Sequence, residues 1–200
     1  MSGFWLRLAG YSQLFLATAL SRAFRRGTVQ PVHLAGRAKA RSLCETLAMK
    51  NSFEIRLALE TDAFKIAELI YSTSVMCCFT PEQPCPEWFK ESVAPKQIDN
   101  LLKSVDMVWL VATQEKTLAG VLAISNKSYV KYFFVHPAHQ KLGAGKQLWQ
   151  FVLHSEILVN SVLVRSSLFA VPVYEGLGFK AIEPPKEVNG VYYLTTEAIL

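Results

Sequence analysis

Cysteine is scarce in this 200-residue sequence: Cys44 stands alone, Cys77 and Cys78 are adjacent, and Cys85 follows. Four such residues in a chain this long exclude a dense disulfide framework, and their spacing lacks the paired short intervals of a zinc site. Reduced, partly buried thiols in a reducing compartment are expected, hence a cytoplasmic protein with no metal. Long apolar runs are also missing. The stretch from Leu8 to Leu20 is too short to span a bilayer, follows Arg7, is interrupted by Gln13 and runs into Arg22, Arg25 and Arg26. No internal repeat and no low-complexity tract occurs, and charged residues make up only 18% against 51% hydrophobic ones. Wholesale disorder, collagen-like repeats and coiled coil are thereby excluded, and one ordinary domain with an appendage is expected.

The formal net charge of +5 is badly uneven along the chain. Residues 1–48 hold seven basic side chains (Arg7, Arg22, Arg25, Arg26, Arg37, Lys39 and Arg41) against the single acid Glu45, whereas residues 49–200 hold 14 basic and 15 acidic ones. The near-neutral body offers no phosphate-tracking surface, so no nucleic-acid partner is expected. Residues 1–48 therefore read as a basic N-terminal extension. Its composition suits a dispensable segment upstream of Met49, a targeting peptide, or an amphipathic membrane or partner helix, and it receives no chemistry.

The body, residues 49–200, reads as mixed α and β. Phe53 to Leu57 alternates as a strand; Thr61-Asp62 is placed to cap a helix carrying Phe64, Ile66, Ala67, Leu69 and Ile70 at helical spacing. Pro81, Pro84 and Pro86 make a loop, and a second helix includes Ile98, Leu101 and Leu102. Met107 to Thr113 and Thr117 to Ser125 form an antiparallel pair across Glu115-Lys116, and Tyr129 to Val135 is a further strand. A helix follows from about Gly145 to His154, then a short strand at Val162 to Val164 and a helix at Val171 to Leu177. Asn189-Gly190 sets a turn before Val191 to Leu194.

The informative segment is His136-Pro137-Ala138-His139-Gln140-Lys141-Leu142-Gly143-Ala144-Gly145-Lys146. A strand ends, two glycines permit close approach and unusual dihedrals, and a helix opens with its free N–H groups toward the loop. Aligned amides and the helix dipole favour a phosphate there, with Lys141 and Lys146 adding charge at the rim. A tight βα turn also uses glycine with no ligand at all, so the loop alone decides nothing. Neither a P-loop nor a Rossmann fingerprint is present.

Gln140-Lys141-Leu142-Gly143-Ala144-Gly145 resembles the Gln/Arg-x-x-Gly-x-Gly/Ala signature of the GNAT superfamily of N-acetyltransferases. Tyr174-Glu175-Gly176-Leu177-Gly178-Phe179, after Ala170-Val171-Pro172, resembles that family's later motif, in which a helix ends at Leu-Gly-Phe. The two stand in the family's order. The resemblance implies the GNAT acyl-CoA N-acyltransferase fold: a twisted, mixed, mostly antiparallel sheet, splayed at its centre and flanked by helices, with acetyl-CoA as co-substrate in the split. It implies that the backbone of Phe133, Phe134 and Val135 pairs with the pantetheine arm. The loop residues Gln140, Lys141, Leu142, Gly143, Ala144, Gly145 and Lys146 would then hold the pyrophosphate, and a Cβ at Gly143 or Gly145 would crowd it. Tyr174 takes the place of the family's general acid, and the oxyanion donor would be a main-chain amide near Val135.

Two departures stand out. Many relatives carry a glutamate on the strand before the loop, whereas Tyr129-Val130-Lys131-Tyr132-Phe133-Phe134 has no acid. His136, His139, Glu82, Glu87 or a water chain remain as bases, although the histidines read more readily as loop-shaping and the glutamates as solvent-facing. Arg165 stands where close relatives often have asparagine; Ser166 or Ser167 would take over that polar duty, or Arg165 would contact a CoA phosphate, and Ser167 is counted with the cofactor contacts. The acceptor pocket is expected along Tyr71 to Phe89, with Tyr71, Cys77, Phe79 and Trp88 as lining residues or as core. Such a lining suits a small amine, amino acid or peptide terminus. The implied activity is acetyl transfer from acetyl-CoA to a primary amine; a CoA-binding sensor or interaction module on the same fold is the alternative. Neither stable membrane insertion nor a nucleic-acid partner belongs to this reading, and a homodimer is compatible with it.

Overall fold

A computed structural model describes residues 52–155 and 157–200. The expected extension at 1–48, its boundary at Met49 and Cys44 lie outside the described residues. The chain forms β1 (Glu54–Leu57), α1 (Ala63–Cys78), α2 (Glu87–Ser92), α3 (Pro95–Leu102), β2 (Met107–Gln114), β3 (Thr117–Ser125), β4 (Tyr129–Val135), α4 (Ala144–His154), β5 (Ser161–Ser167), α5 (Val171–Gly176), β6 (Lys180–Ala181), β7 (Lys186–Val188) and β8 (Val191–Ile199). The eight strands make one mixed, mostly antiparallel sheet in the order β1-β2-β3-β4-β5-β8-β6, with β7 also on β8. Its one parallel contact, between β4 and β5, holds only at Tyr129 opposite Leu163 and Val130 opposite Val164. Beyond that point the strands part, and the sheet is split at its centre.

Alternation along the strands sends side chains to two cores. In β2, Leu110 and Ala112 join Leu122, Leu148, Trp149 and Val152 on the face covered by α4 and α5. Trp109 and Val111 join Ile66, Ile70 and Ile98 on the face covered by α1 and α3. Side chains such as Ile66, Ile70, Leu110 and Leu148 are fully withdrawn from solvent, each contributing about 2 kcal/mol of hydrophobic stabilisation. Strict alternation through β4 would put Val130, Tyr132 and Phe134 on one side. Instead the register with β3 slips between Ala123 and Ile124, leaving Lys131 as an extra residue, and Phe133 and Val135 turn to the same face as Val130. Tyr132 and Phe134 face α1 and α3, where Tyr132 stacks on Trp109 at 5.3 Å.

Several elements differ from the reading of the sequence. Asp62 does not cap α1. Its carboxylate accepts two bonds from the Arg56 guanidinium, at 2.7 and 3.0 Å, and one from the Leu59 N–H at 2.8 Å. The charged partner holds the Asp62 carboxyl below its ordinary range, ahead of the opposing effect of burial. Phe64 shares the helical spacing yet is 65% exposed, because α1 buries its Ile66-Ile70 stripe instead. The helix α2 and the short strands β6 and β7 carry too little periodicity to be read, and β5 and β8 run longer than their apolar centres. Cys77, Cys78 and Cys85 are free and partly buried, as expected.

Candidate active site

The split lies beside the glycine loop. Where β4 ends, the His136 N–H bonds the Ala119 carbonyl at 2.8 Å, and the Gln140 side chain donates to the Val135 carbonyl at 3.1 Å. Gln140 thus ties the loop to the strand end. Lys141 and Gly143 then take left-handed backbone, with φ of 62° and 99°, and the chain turns into α4. Gly143 precedes the helix and accepts the Gln147 N–H at 2.9 Å, which leaves the N–H groups of Ala144, Gly145 and Lys146 with no acceptor inside the helix. The Ala144 methyl goes into the core, while Lys141, Leu142 and Lys146 are exposed at the rim.

The two glycines serve different ends. Added at Gly143, a Cβ would meet only the Gln147 amide at 3.7 Å, so there the positive φ is the constraint. At Gly145 it would point at the Phe133 ring and the Val135 methyl, both at 3.5 Å, which is ordinary contact. The α-carbon of Gly145 thus faces the sheet, toward Phe133 and Val135. A third glycine is set by packing and not by a motif: a Cβ on Gly120 would sit 3.1 Å from the Phe134 carbonyl and 3.3 Å from Leu148, so it is Gly120 that lets α4 lie close on β3.

Tyr174 forms the floor. It is buried at 6% exposure, with its ring edge-on to Phe133 at 6.1 Å and to Phe179 at 5.3 Å. Burial pushes its phenol well above the ordinary value, and the neighbouring Tyr129 and Cys78 push the same way. Ser167 ends β5 near the Cys78 thiol, which burial raises while Ser167 pulls the other way. Cys78, at the end of α1, is therefore the cysteine that meets the site. Ser74, one turn earlier, is buried and its hydroxyl has no partner among the described residues. Ile66, Ile70, Ser74 and Cys78 follow one another at intervals of four; a serine where that stripe calls for an apolar residue was the available signal.

Other expected residues fall elsewhere. Tyr71 lines an outer groove of about 250 Å³ with Phe64, Lys90 and Pro95, away from the split. Phe79 packs edge-on to Phe89 at 5.7 Å. The Gln83 side chain donates to the Gly190 carbonyl at 2.8 Å and the Trp88 indole to that of Asn189 at 3.4 Å, so the proline loop clasps the β7–β8 hairpin. Among the four candidate bases, His136 accepts the Ala138 N–H at 3.2 Å, and His139 lies edge-on to Phe53 at 6.1 Å. Burial, then His136, lowers the His139 imidazole. Glu87 pairs with Lys90 at 3.4 Å, and Glu82 is exposed. No cluster able to hold a metal occurs among the described residues, and no helix there is long and apolar enough to cross a membrane.

An open strand edge can pair with the amides of an extended ligand, a helix N-terminus can take its phosphates, and a protonated phenol can serve the far end. A family model described as an acetyltransferase (GNAT) domain matches residues 76–199. The chain belongs to the GNAT acetyltransferase family. Solved structures share the fold. A GCN5-related N-acetyltransferase from Rhodopseudomonas palustris is 18% identical with a TM-score of 0.64, covering 74% of this chain and 96% of its own. The PaiA N-acetyltransferase from Thermoplasma acidophilum, solved in complex with coenzyme A, is 19% identical with a TM-score of 0.56, covering 74% and 99%. The SpeG spermidine N-acetyltransferase from Vibrio cholerae is 16% identical with a TM-score of 0.53, covering 74% and 93%. A search of curated proteins returns no match.

Proposed function

We propose that this chain is an acetyl-CoA-dependent N-acetyltransferase acting on the primary amine of a small molecule, amino acid or peptide by direct transfer. The observation that carries the reading is the abrupt end of β4–β5 pairing at Val130 and Val164, beside a left-handed Gly143 and the unpaired first turn of α4. The donor fits this arrangement. Phe133, Phe134 and Val135 present main-chain groups along the opened edge, the amides from Lys141 to Lys146 receive the pyrophosphate, and Ser167 lies across the gap at the end of β5. Side-chain identity matters little for such contacts, which are made by backbone.

Tyr174 then supplies the proton to the departing thiolate. A phenol is protonated at neutral pH and so has a proton to give; burial raises Tyr174 further and makes it the weaker acid, so the role is supported by the place of Tyr174 in the motif and beside Phe133, not by the shift. The oxyanion donor is a main-chain amide near Val135. On the acceptor side stand the proline loop and the β7–β8 hairpin. That fold-mates include a spermidine N-acetyltransferase supports an amine acceptor in general, while the aromatic acceptor side favours a smaller, less charged amine.

Calorimetric titration of acetyl-CoA into the full chain, with Gly143→Trp beside it, followed by thiol release across an amine panel, tests the proposal. Binding lost in the variant together with amine-dependent release upholds it. Binding without release by any amine would instead favour the CoA-binding sensor, which the missing strand acid makes the second reading.

A further inference from the structure

We infer that Arg165 selects the acceptor by binding a carboxylate on it, so that the amine substrate is an amino acid. This deepens the acetyltransferase reading above and rests on it. The face of the sheet that α1 and α3 cover carries Trp109 and Val111 of β2, Val121 and Ala123 of β3, and Tyr132 and Phe134 of β4. Among the described residues, none of β5 or β8 joins that core. Val162, Val164 and Ala198 go to the opposite core, so alternation sets Leu163, Arg165 and Ser167 of β5 on the uncovered face. Glu197, Thr195 and Tyr193 of β8 stand opposite them in that order and share it. Beyond β4 this face is therefore open, and it runs toward the hairpin tip at Asn189 and Gly190 that Gln83 and Trp88 hold.

Arg165 stands at the fork. The last pairing of β5 with β4 is Val164 opposite Val130, and Arg165 is the next residue of β5. Its exposed side chain lies over the Tyr193 ring, 5.1 Å from the centroid. A ring attracts the charge through its face and leaves the N–H groups of the guanidinium available. The carboxylates of this face do not occupy them. Lys186 and Thr195 engage the two oxygens of Glu183, and Arg165 is the last of the influences that lower that carboxyl. Glu197 stands between Leu163 and Lys180. Among the described residues, no ion pair involves Arg165. A CoA phosphate is the other anion to weigh, but the loop proposed to receive the pyrophosphate begins after Val135, about 16 Å further along β4 than Val130. Arg165 is one residue past the fork, at the other end of the cleft. There its planar fork of donors matches the two oxygens of a carboxylate. An amino acid carries that carboxylate beside its amine, so docking it on Arg165 holds the amine at the opening between the strands.

The test uses the full chain, acetyl-CoA, and a set of amino acids, their methyl esters and simple primary amines, read by thiol release. The ester keeps the amine and side chain but takes the charge from the carboxylate. For each protein the ratio of kcat/KM for acid over ester is taken; comparing that ratio between the unmodified protein and a variant cancels the lower basicity of the ester amine. Arg165→Gln should lower the ratio about 30-fold through KM for the acid, with kcat/KM for the ester and calorimetric acetyl-CoA affinity unchanged. Arg165→Lys, which keeps the charge and loses the planar fork, should fall between the two. An unchanged ratio in Arg165→Gln, acetylation of simple amines but of no amino acid by the unmodified protein, or a loss of acetyl-CoA affinity in step with turnover, as a phosphate contact would give, would each overturn the inference. Failure of the unmodified protein to release thiol with any amine in the set, despite binding acetyl-CoA, would instead refute the acetyltransferase reading and this inference with it.

Discussion

The two halves of the cleft are built on opposite principles. On the proposed donor side, β4, the glycine loop and α4 are consecutive in sequence, and what they offer is main chain: a strand edge, a left-handed turn at Gly143 and a helix end. On the proposed acceptor side, Gln83 in the proline loop and Trp88 in α2 reach Gly190 and Asn189 across 107 and 101 residues of sequence, and what they offer is side chains. A half made of local backbone geometry tolerates sequence change so long as its glycines remain. A half made of distant side-chain contacts can be retuned without touching the donor, which is how one fold serves many acceptors.

The contrast breaks most completely at Gly143. Gly143→Trp places a bulky residue at φ of 99° in the mouth of the loop, and calorimetry should register no acetyl-CoA binding by a protein whose circular dichroism remains that of the parent. Next in size is Tyr174→Phe, which should cut turnover about 100-fold while the calorimetric affinity for acetyl-CoA stays put. Asp62 belongs to neither half and gives the baseline for a purely structural change. Removing its charge-assisted bonds to Arg56 in Asp62→Asn should cost about 2 kcal/mol in urea unfolding at neutral pH, with KM values unaltered. Since the folded protein holds the Asp62 carboxyl low, that advantage is present above the unfolded value of about 3.9 and disappears as pH falls through the folded one. The two proteins should therefore converge in acid. Smallest is Gln83→Ala: losing its 2.8 Å bond to Gly190 is worth about 1 kcal/mol and should raise KM for the amine several-fold without altering acetyl-CoA affinity.

The same division explains what could be read in advance. Gln140 to Gly145 and Tyr174 to Phe179 are local spacings, so the loop, its helix and the floor tyrosine were visible in one dimension. The mixed, centrally splayed sheet followed from the fold that those motifs imply. Hidden were the features set by pairing or by packing: Gly120, whose need arises from Leu148 and Phe134; Asp62, drawn from its cap by an arginine on another element; and Tyr71, whose aromatic character suited the acceptor pocket but which faces an outer groove.

The bulge at Lys131 makes β4 a strand with two phases. Up to Val130 it obeys the sheet, and after Lys131 the assignment of odd and even positions is exchanged, so that Phe133 and Val135 look toward α4 while Tyr132 and Phe134 look toward α1. Losing Lys131 would therefore be a shortening and not an inversion: Val130, Tyr132, Phe133, Phe134 and Val135 would alternate in plain order, each on the side it now faces, and only the bulge would go. Length beyond the bulge is thus held more tightly than length at it. Substitutions can accumulate on the strand, but one residue added or lost between Tyr132 and Val135, with the bulge kept, would exchange the sides of the residues past it and disturb both cores at once.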